Sequence, residues 1–236
     1  MSVAEVMPVA RKVLAVCAHP DDESFGLGAI ISTLIDQGAS IDLVCLTRGE
    51  ASTLGPSFDD LAEARRSELA AAATALGVDI VHQFDHPDGG LSKIDVATLA
   101  AAIQPLAGDS DLLLVFDEGG ITGHPDHIQA TAAAIAVADR LDLPVLAWTL
   151  YLQVADTLND EFDGRFVGRA DREINVRLPV ERSRQRLAMR CHNSQLTANP
   201  VPERRIALTG DTEPLRFLRR SQQPRPTTQH AKDQTS

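Results

Sequence analysis

The chain has 236 residues, of which 44% are hydrophobic and 23% charged, and its formal net charge is −11. This length suits one domain with a real core, and the acidic balance argues against nucleic acid or an anionic membrane as the main ligand, because both select a basic surface. The sequence has no apolar run of about 18 residues, no secretory leader pattern in residues 1–12, and only three cysteines. We therefore expect a cytoplasmic protein that neither spans a membrane nor depends on disulfides, and the sequence leaves a homo-oligomer open.

Apolar runs of strand length alternate with alanine-rich stretches along the first two-thirds of the chain. The predicted strands cover residues 13–18, 41–47, 79–84, 112–116 and 145–150. The predicted helices cover residues 24–37, 59–76, 94–106 and 126–141. Continuous apolar strands separated by helices are typical of a parallel sheet whose two faces are both covered. The sequence thus predicts a single α/β domain built on a doubly wound, mostly parallel sheet.

This alternation weakens after residue 152. Residues 156–168 are polar and predict a loop, residues 174–178 alternate like an edge strand, and residues 180–191 predict a helix that follows Pro179. We assign residues 1–196 to the domain and residues 197–236 to a C-terminal extension. The polar, proline-containing stretch from about residue 221 predicts disorder.

The tripeptide His-Pro-Asp occurs three times, beginning at His19, His86 and His124, each time after a predicted strand. Ligands of open α/β sheets bind beyond the carboxyl ends of the strands. Proline favours the first position of a helix, and residues three apart share one side of the first turn. This spacing pairs His19 with Asp22, and His124 with His127.

Two imidazoles and a carboxylate beside an open coordination position are typical of a catalytic zinc (Zn²⁺) site, or of a site for a similar metal such as Fe²⁺. The third copy differs, because Gly89 stands three residues after His86 and offers no second ligand. We interpret that copy as a turn. A histidine near one helix start is often only solvated or hydrogen-bonded, but two such motifs at neighbouring strand ends favour a metal site.

The segment Ala-His-Pro-Asp-Asp-Glu at residues 18–23, with Gly-His-Pro-Asp-His at residues 123–127, resembles the PIG-L/LmbE-like family of metal-dependent N-deacetylases. Shorter matches at residues 47–50, 65–68, 76–78, 88–91 and 192–195 extend the resemblance over about residues 12 to 196. It implies a Rossmann-like fold with helices on both faces of the sheet, and zinc as the usual metal. It also implies a hydrolase that removes the acetyl group from an N-acetylglucosamine conjugate or a related amide.

The resemblance carries roles over residue by residue. The residues that match the metal ligands are His19, Asp22 and His127. Asp21 matches the general base that acts on the metal-bound water. His124 matches the residue that stabilises the tetrahedral oxyanion, and Asp126 matches its orienting partner.

Arg65 and Asp88 match positions that reach the substrate in the family. Two alternatives stay open: Arg65 forms a surface ion pair with Glu68, and Asp88 only makes a turn before Gly89. Thr122 stands where some members have a tyrosine near the oxyanion, which puts specificity and rate in question.

Other functions compete with deacetylation of an amino sugar. A nucleotide-binding Rossmann domain is disfavoured, because Gly26 and Gly28 lie inside a predicted helix and form no phosphate loop. An amidase acting on a low-molecular-weight thiol conjugate is one alternative. A non-catalytic metal-binding member of the fold is the other, although such a protein has no need of Asp21 beside its ligands.

Overall fold

The computed structural model describes residues 7, 9–54, 59–197 and 199–222. Within them, the strands are β1 (Lys12–Cys17), β2 (Ser40–Thr47), β3 (Ile80–His86), β4 (Leu112–Phe116), β5 (Val145–Trp148), β6 (Leu150–Tyr151), β7 (Gly168–Arg169), β8 (Val176–Pro179) and β9 (Thr212–Arg219). The α-helices are α1 (Asp22–Phe25), α2 (Gly28–Asp36), α3 (Leu61–Leu76), α4 (Val96–Ile103), α5 (Gly120–Gly123), α6 (Pro125–Leu141), α7 (Leu152–Phe162), α8 (Ser183–Met189), α9 (Asn193–Leu196) and α10 (Val201–Thr209). None of the helices in these ranges is both long and apolar enough to cross a bilayer.

Seven strands form the central sheet in the order β3-β2-β1-β4-β5-β9-β8. The first five pair in parallel, whereas β9 runs antiparallel to both of its neighbours. Side chains of β1 alternate between two apolar cores, with Val13 and Ala15 on one face and Leu14 and Val16 on the other. Burial on both faces explains the continuous apolar runs. The predicted doubly wound, mostly parallel sheet in a single domain is confirmed.

The helix predicted over residues 24–37 is in fact two helices, α1 and α2, which break at Gly26. A Cβ atom at Gly26 would lie 2.5 Å from the Phe116 ring and 2.8 Å from the Trp148 ring. The chain therefore passes directly against the ends of β4 and β5 at a position that only glycine fits. The break turns the short helix α1, which carries Asp22, toward the carboxyl edge of the sheet.

The predicted loop over residues 156–168 is wrong in its first half, because α7 runs to Phe162 and buries Val154, Ala155 and Leu158. The edge strand predicted over residues 174–178 corresponds to β8, and the helix predicted over 180–191 is shorter, as α8. The residues treated as an extension contribute α10 and β9, and β9 lies between β5 and β8. Most of the stretch predicted to be disordered, residues 223–236, lies outside the described residues.

Candidate metal centre and active site

The motifs at residues 18–23 and 123–127 meet at the carboxyl ends of β1 and β4, which are parallel neighbours. The ring centres of His19 and His124 are 4.8 Å apart, those of His19 and His127 are 5.1 Å apart, and those of His124 and His127 are 4.9 Å apart. These rings line a cavity of about 380 Å³, together with Asp21, Asp22 and other polar side chains. The two motifs thus form one site, as the spacing predicts.

Each of two imidazoles is held through one ring nitrogen, which determines where its lone pair points. His127 Nδ1 lies 3.1 Å from the carbonyl oxygen of Gly120, so this nitrogen carries the proton and Nε2 is the acceptor. His19 Nε2 lies 3.1 Å from Asp88 Oδ1 and 3.3 Å from Asp126 Oδ2, so His19 Nδ1 is the free acceptor. The two acceptor nitrogens, His19 Nδ1 and His127 Nε2, face each other at 3.2 Å. Two facing lone pairs repel each other unless a proton or a metal cation lies between them.

Asp22 supplies a third donor at this point. Its Oδ1 lies 3.1 Å from His127 Nε2, and its Oδ2 lies 3.8 Å from His19 Nδ1. Oδ2 also accepts hydrogen bonds from the backbone N–H groups of Ala18 and His19 at 3.0 and 2.9 Å. Burial disfavours the charged carboxylate, but the two histidines outweigh it and hold the pKa of Asp22 far below its usual range. Asp22 therefore stays ionised.

The electrostatic field around His19 favours a positive charge. Burial alone would lower its pKa, but the carboxylates of Asp126 and Asp88 outweigh burial and raise the pKa of His19 to about 10. A field that retains a proton so strongly also suits a metal cation. His19, Asp22 and His127 therefore have the donor types, the orientation and the charge to hold a divalent metal.

Asp21 is presented by a strained turn next to these donors. Its φ of 117° lies in the left-handed region that favours glycine, and its backbone N–H donates to Glu23 Oε2 at 2.9 Å. Its Oδ2 lies 3.1 Å from Arg65 Nη2. Burial raises the pKa of Asp21 to about 6, because it outweighs the attraction of Arg65 and the charge of Asp22 adds to it. The two adjacent aspartates thus face different partners.

His124 has its protonation pattern fixed by the backbone of α6. Its Nδ1 accepts a hydrogen bond from the N–H of Asp126 at 3.2 Å, so the ring proton sits on Nε2. Burial, reinforced by the neighbouring rings of His127 and His19, lowers the pKa of His124. His124 is therefore a neutral imidazole that can donate a hydrogen bond into the cavity.

Asp126 is expected from the resemblance to orient His124, but the structure places its carboxylate elsewhere. The carboxylate accepts from the backbone N–H groups of Gly89 and Leu91 at 2.8 and 3.0 Å and faces His19 Nε2. Only its backbone N–H reaches His124. The reason is that His124 caps α6, so the fully buried Asp126 side chain points toward the loop after β3.

Arg65 and Asp88 both line the cavity. The alternative of a surface pair between Arg65 and Glu68 is wrong: Arg65 is 3% exposed and donates to Gly49 O at 2.8 Å, to Pro20 O and to Asp21. Glu68 instead accepts from Ser194 N and Oγ at 2.8 and 2.6 Å. Asp88 does more than form a turn, since its second oxygen accepts from the N–H of Ala51 at 2.9 Å.

Glu23 and His192 belong to the site, although the sequence alone predicts no role for either residue. Glu23 and His192 are fully buried, and His192 Nε2 lies 2.6 Å from Glu23 Oε1. Through Glu23, this pair holds the backbone of Asp21. Glu23 is the last residue of the 18–23 motif, and His192 is the first residue of the 192–195 match. The resemblance therefore includes both residues, but it does not predict that they contact each other.

A family model described as "PIG-L: GlcNAc-PI de-N-acetylase" matches residues 14–138, more than half of the chain. The chain belongs to this family. A relative from Mycolicibacterium vanbaalenii, named 1D-myo-inositol 2-acetamido-2-deoxy-alpha-D-glucopyranoside deacetylase, is 30% identical over 242 residues, which cover 82% of this chain and 84% of the relative.

A relative of the same name from Kineococcus radiotolerans is 32% identical over 164 residues, which cover 54% of this chain and 45% of the relative. The chain therefore spans about half the length of several curated relatives that it matches. Among solved structures, the zinc-inhibited form of teicoplanin deacetylase Orf2 is similar, with a TM-score of 0.65 and 19% identity over 87% of this chain and 97% of that one. At 19% identity, this structural similarity supports the fold alone.

Proposed function

We propose that the chain is a metal-dependent N-deacetylase that hydrolyses the acetamide of an N-acetylglucosaminyl conjugate. The observation that carries the proposal is the convergence of His19 Nδ1, His127 Nε2 and the Asp22 carboxylate beside Asp21 and His124. Family membership and the relatives named as deacetylases of an N-acetylglucosaminyl inositol support the same reaction.

His19, Asp22 and His127 would hold the metal, with zinc as the first candidate. A divalent cation at this point supplies Lewis acidity, which polarises an amide carbonyl and makes water more acidic. The remaining steps belong to side chains of the chain itself.

Asp21 is the group placed to accept a proton. Its pKa of about 6 leaves it ionised at neutral pH, and Arg65 fixes one of its oxygens while Asp22 is committed to the histidines. Water's oxygen bonds to the acyl carbon as its proton passes to Asp21. The C–N bond then breaks, the proton goes to the departing nitrogen, and the products are acetate and a free amine.

His124 faces the same reacting centre as a neutral donor. Its Nε2–H can hydrogen-bond to the carbonyl oxygen while negative charge develops there, which lowers the barrier without a change in the net charge of the site. Because burial, reinforced by the neighbouring rings, lowers the pKa of His124, this residue holds the neutral form at neutral pH.

The walls of the cavity suit a hydroxylated substrate. They include Asp88, Ser52, Thr53 and Gln195, which offer hydrogen-bond acceptors and donors to sugar hydroxyls. These hydrogen-bonding groups favour an amino-sugar conjugate as the partner, in which the group attached to the sugar can vary.

The test is a screen for amine release with protein stripped of metal and then reloaded with Zn²⁺ or Fe²⁺. The substrates are N-acetylglucosaminyl-inositol, N-acetylglucosaminyl-malate, free N-acetylglucosamine and an N-acetylcysteine conjugate. We expect turnover of the sugar conjugates only with metal, and at least 10²-fold less with Asp21→Asn. Turnover of only the cysteine conjugate would support the thiol-conjugate amidase instead. Stoichiometric metal without release from any substrate would support a non-catalytic metal-binding protein.

A further inference from the structure

A second chamber of about 350 Å³ adjoins the candidate active site. Asp21, Asp22, His127 and Leu54 belong to the walls of both this chamber and the polar cavity. The two spaces therefore meet at the proposed metal ligands and the proposed base. An amide bond held at the proposed metal ligands therefore lies between the polar cavity and the second chamber.

The second chamber differs from the first in the chemistry of its walls. Aromatic and aliphatic side chains predominate, among them Phe25, Phe116, Trp148, Leu150, Phe166 and Val201. The rings of Phe116 and Trp148 pack edge to face with their centres 5.0 Å apart, which makes this wall firm. Thr122 contributes only a small side chain beside them. Such walls favour an apolar group over water.

The amide that is hydrolysed joins an amine group to an acyl group. The polar cavity and the apolar chamber each suit one of these two groups. The amine end of the proposed substrate carries a hydroxylated sugar, which suits the polar cavity. The acyl end must then point into the apolar chamber. An acetyl methyl group would occupy about a tenth of that chamber, since a group the size of water takes about 30 Å³. The rest of the chamber would be left without an apolar occupant.

The geometry points to a further activity of the same site, the hydrolysis of amides whose acyl group is longer than acetyl, with a straight apolar chain of about four to eight carbons in the chamber. This inference rests on the proposed function, because it concerns the other half of the same amide. The reaction balances as before: water's oxygen bonds to the acyl carbon, the C–N bond breaks, and the products are a short fatty acid and the free amine. Each added methylene contributes roughly a fourfold gain in kcat/KM until the chamber is full.

One charged side chain besides the two aspartates and His127 lines the chamber, and it bears on the kind of acyl chain. Arg205 donates through Nη1 to Glu213 Oε1 at 2.9 Å and through Nη2 to the carbonyl oxygen of Phe25 at 3.0 Å. Its Nε has no hydrogen-bond partner among the described residues. Glu213 also accepts from the indole N–H of Trp148 at 2.9 Å. Because Glu213 already pairs with this guanidinium, we expect an apolar chain to bind better than one ending in a carboxylate.

The experiment is a substrate series with one sugar and acetyl, butanoyl, hexanoyl, octanoyl or 5-carboxypentanoyl on its nitrogen. We expect kcat/KM to rise by at least tenfold from acetyl to hexanoyl, and the carboxylated chain to stay below hexanoyl. The variant Val201→Phe, at the first residue of α10, narrows the chamber and should lower the ratio of kcat/KM for hexanoyl to kcat/KM for acetyl toward one or below. Ala207→Phe, exposed on the same helix, is the matched control and should keep the gain.

Binding gives a second readout that needs no turnover. Trp148 is the only tryptophan of the chain, so its fluorescence reports on the chamber directly. Hexanamide should change this emission saturably in the wild type and in Ala207→Phe, and much less in Val201→Phe. Absence of amine release from every substrate, acetyl included, would contradict the proposed function. Turnover that is highest for acetyl or for the carboxylated chain, or no saturable response to hexanamide, would overturn this inference.

Discussion

Arg65 Nη2 lies 3.1 Å from Asp21 Oδ2, and the same guanidinium donates to the backbone carbonyl oxygens of Pro20 and Gly49. One buried side chain thus holds both the proposed base and the turn that presents it. Gly49 permits this approach, because a Cβ atom there would lie 2.4 Å from the guanidinium carbon.

We predict that Arg65→Met lowers kcat by roughly 10²-fold with a small change in KM, because a misplaced Asp21 accepts the proton less effectively. Zinc stoichiometry, measured by atomic emission, should stay at the wild-type value. Arg66→Met is the control, since Arg66 is exposed next to Arg65 and its ion pair within the described residues is with Glu63. A large rise in KM with kcat unchanged would assign Arg65 to substrate binding instead.

Asp21→Asn and Asp22→Asn should have separable effects. The Asp21 variant loses the proton acceptor but keeps the three donors, so we expect full metal content and a kcat lower by about 10²–10⁴-fold. The Asp22 variant replaces the anionic donor with a neutral amide and should lose metal affinity as well. Metal titration and kcat measured on both proteins check this. Loss of metal from the Asp21 variant alone would invert the two roles.

His127→Ala should sharply reduce metal occupancy and abolish turnover, whereas His86→Ala should leave metal content unchanged. The His86 ring stacks on Phe84 at 5.8 Å between ring centres, and in the part of the chain that the structure describes its buried Nε2 has no hydrogen-bond partner. The measurement is metal per protein after dialysis against buffer with trace zinc. An equal loss of metal from both variants would show that the His86 motif also provides a ligand.

Asp126→Asn should weaken zinc binding by roughly 10- to 100-fold, as is usual for residues that orient a metal-ligating histidine. The carboxylate accepts from Gly89, Leu91 and His19, and an amide must turn its NH₂ group toward one of these donors. Competition with a chromogenic chelator measures the affinity. Asp95→Asn, at the exposed start of α4, is the control. An unchanged affinity would exclude this orienting role.

Glu213 should make stability depend on acid pH. It is fully buried and pairs with Arg182 and Arg205, and these arginines outweigh burial and lower the pKa of Glu213 below its usual range. A lowered pKa in the folded state contributes stability above the unfolded value of about 4.3, and this contribution is lost as the pH falls through the folded pKa. Glu213→Gln should cost about 3–5 kcal/mol at pH 7, because two arginines lose their carboxylate.

The check is the Tm of both proteins between pH 7 and pH 3, followed by the emission of Trp148, whose indole N–H donates to Glu213. The difference in Tm should narrow below about pH 4.3. A difference that stays constant down to pH 3 would show that Glu213 does not titrate in this range.

The sequence was sufficient where local chemistry and fold agree. The apolar run of β1 located a strand end, and Pro125 is the first residue of α6 as predicted, whereas Pro20 lies two residues before α1, which begins at Asp22. The spacing within each motif placed Asp22 beside His19 and His127 beside His124. The partners of Arg65 and Asp126 could not be predicted, because they depend on which loops approach from β2 and β3. No local pattern specifies the contact of Asp126 with Gly89 and Leu91.

The C-terminal part was misjudged for a different reason. In β9, Glu213 is fully buried and Arg216 is partly buried, so the charged residues of this strand made the sequence resemble a polar tail. The charges are neutralised by distant partners, Arg182 and Arg205 for Glu213, and Asp117 and Glu118 for Arg216. In α7, the buried face is narrow, and the polar residues between Val154 and Leu158 concealed it.

The position of β9 sets an order of events during synthesis of the chain. β5 pairs with β4 on one side and with β9 on the other, yet β9 leaves the ribosome more than 60 residues after β5. Until then the edge of β5 that will pair with β9 lies open, and β8 has no neighbour to join. A nascent or prematurely terminated chain that ends before Thr212 therefore presents an apolar strand edge, the kind of surface that chaperones cover and that otherwise recruits other chains.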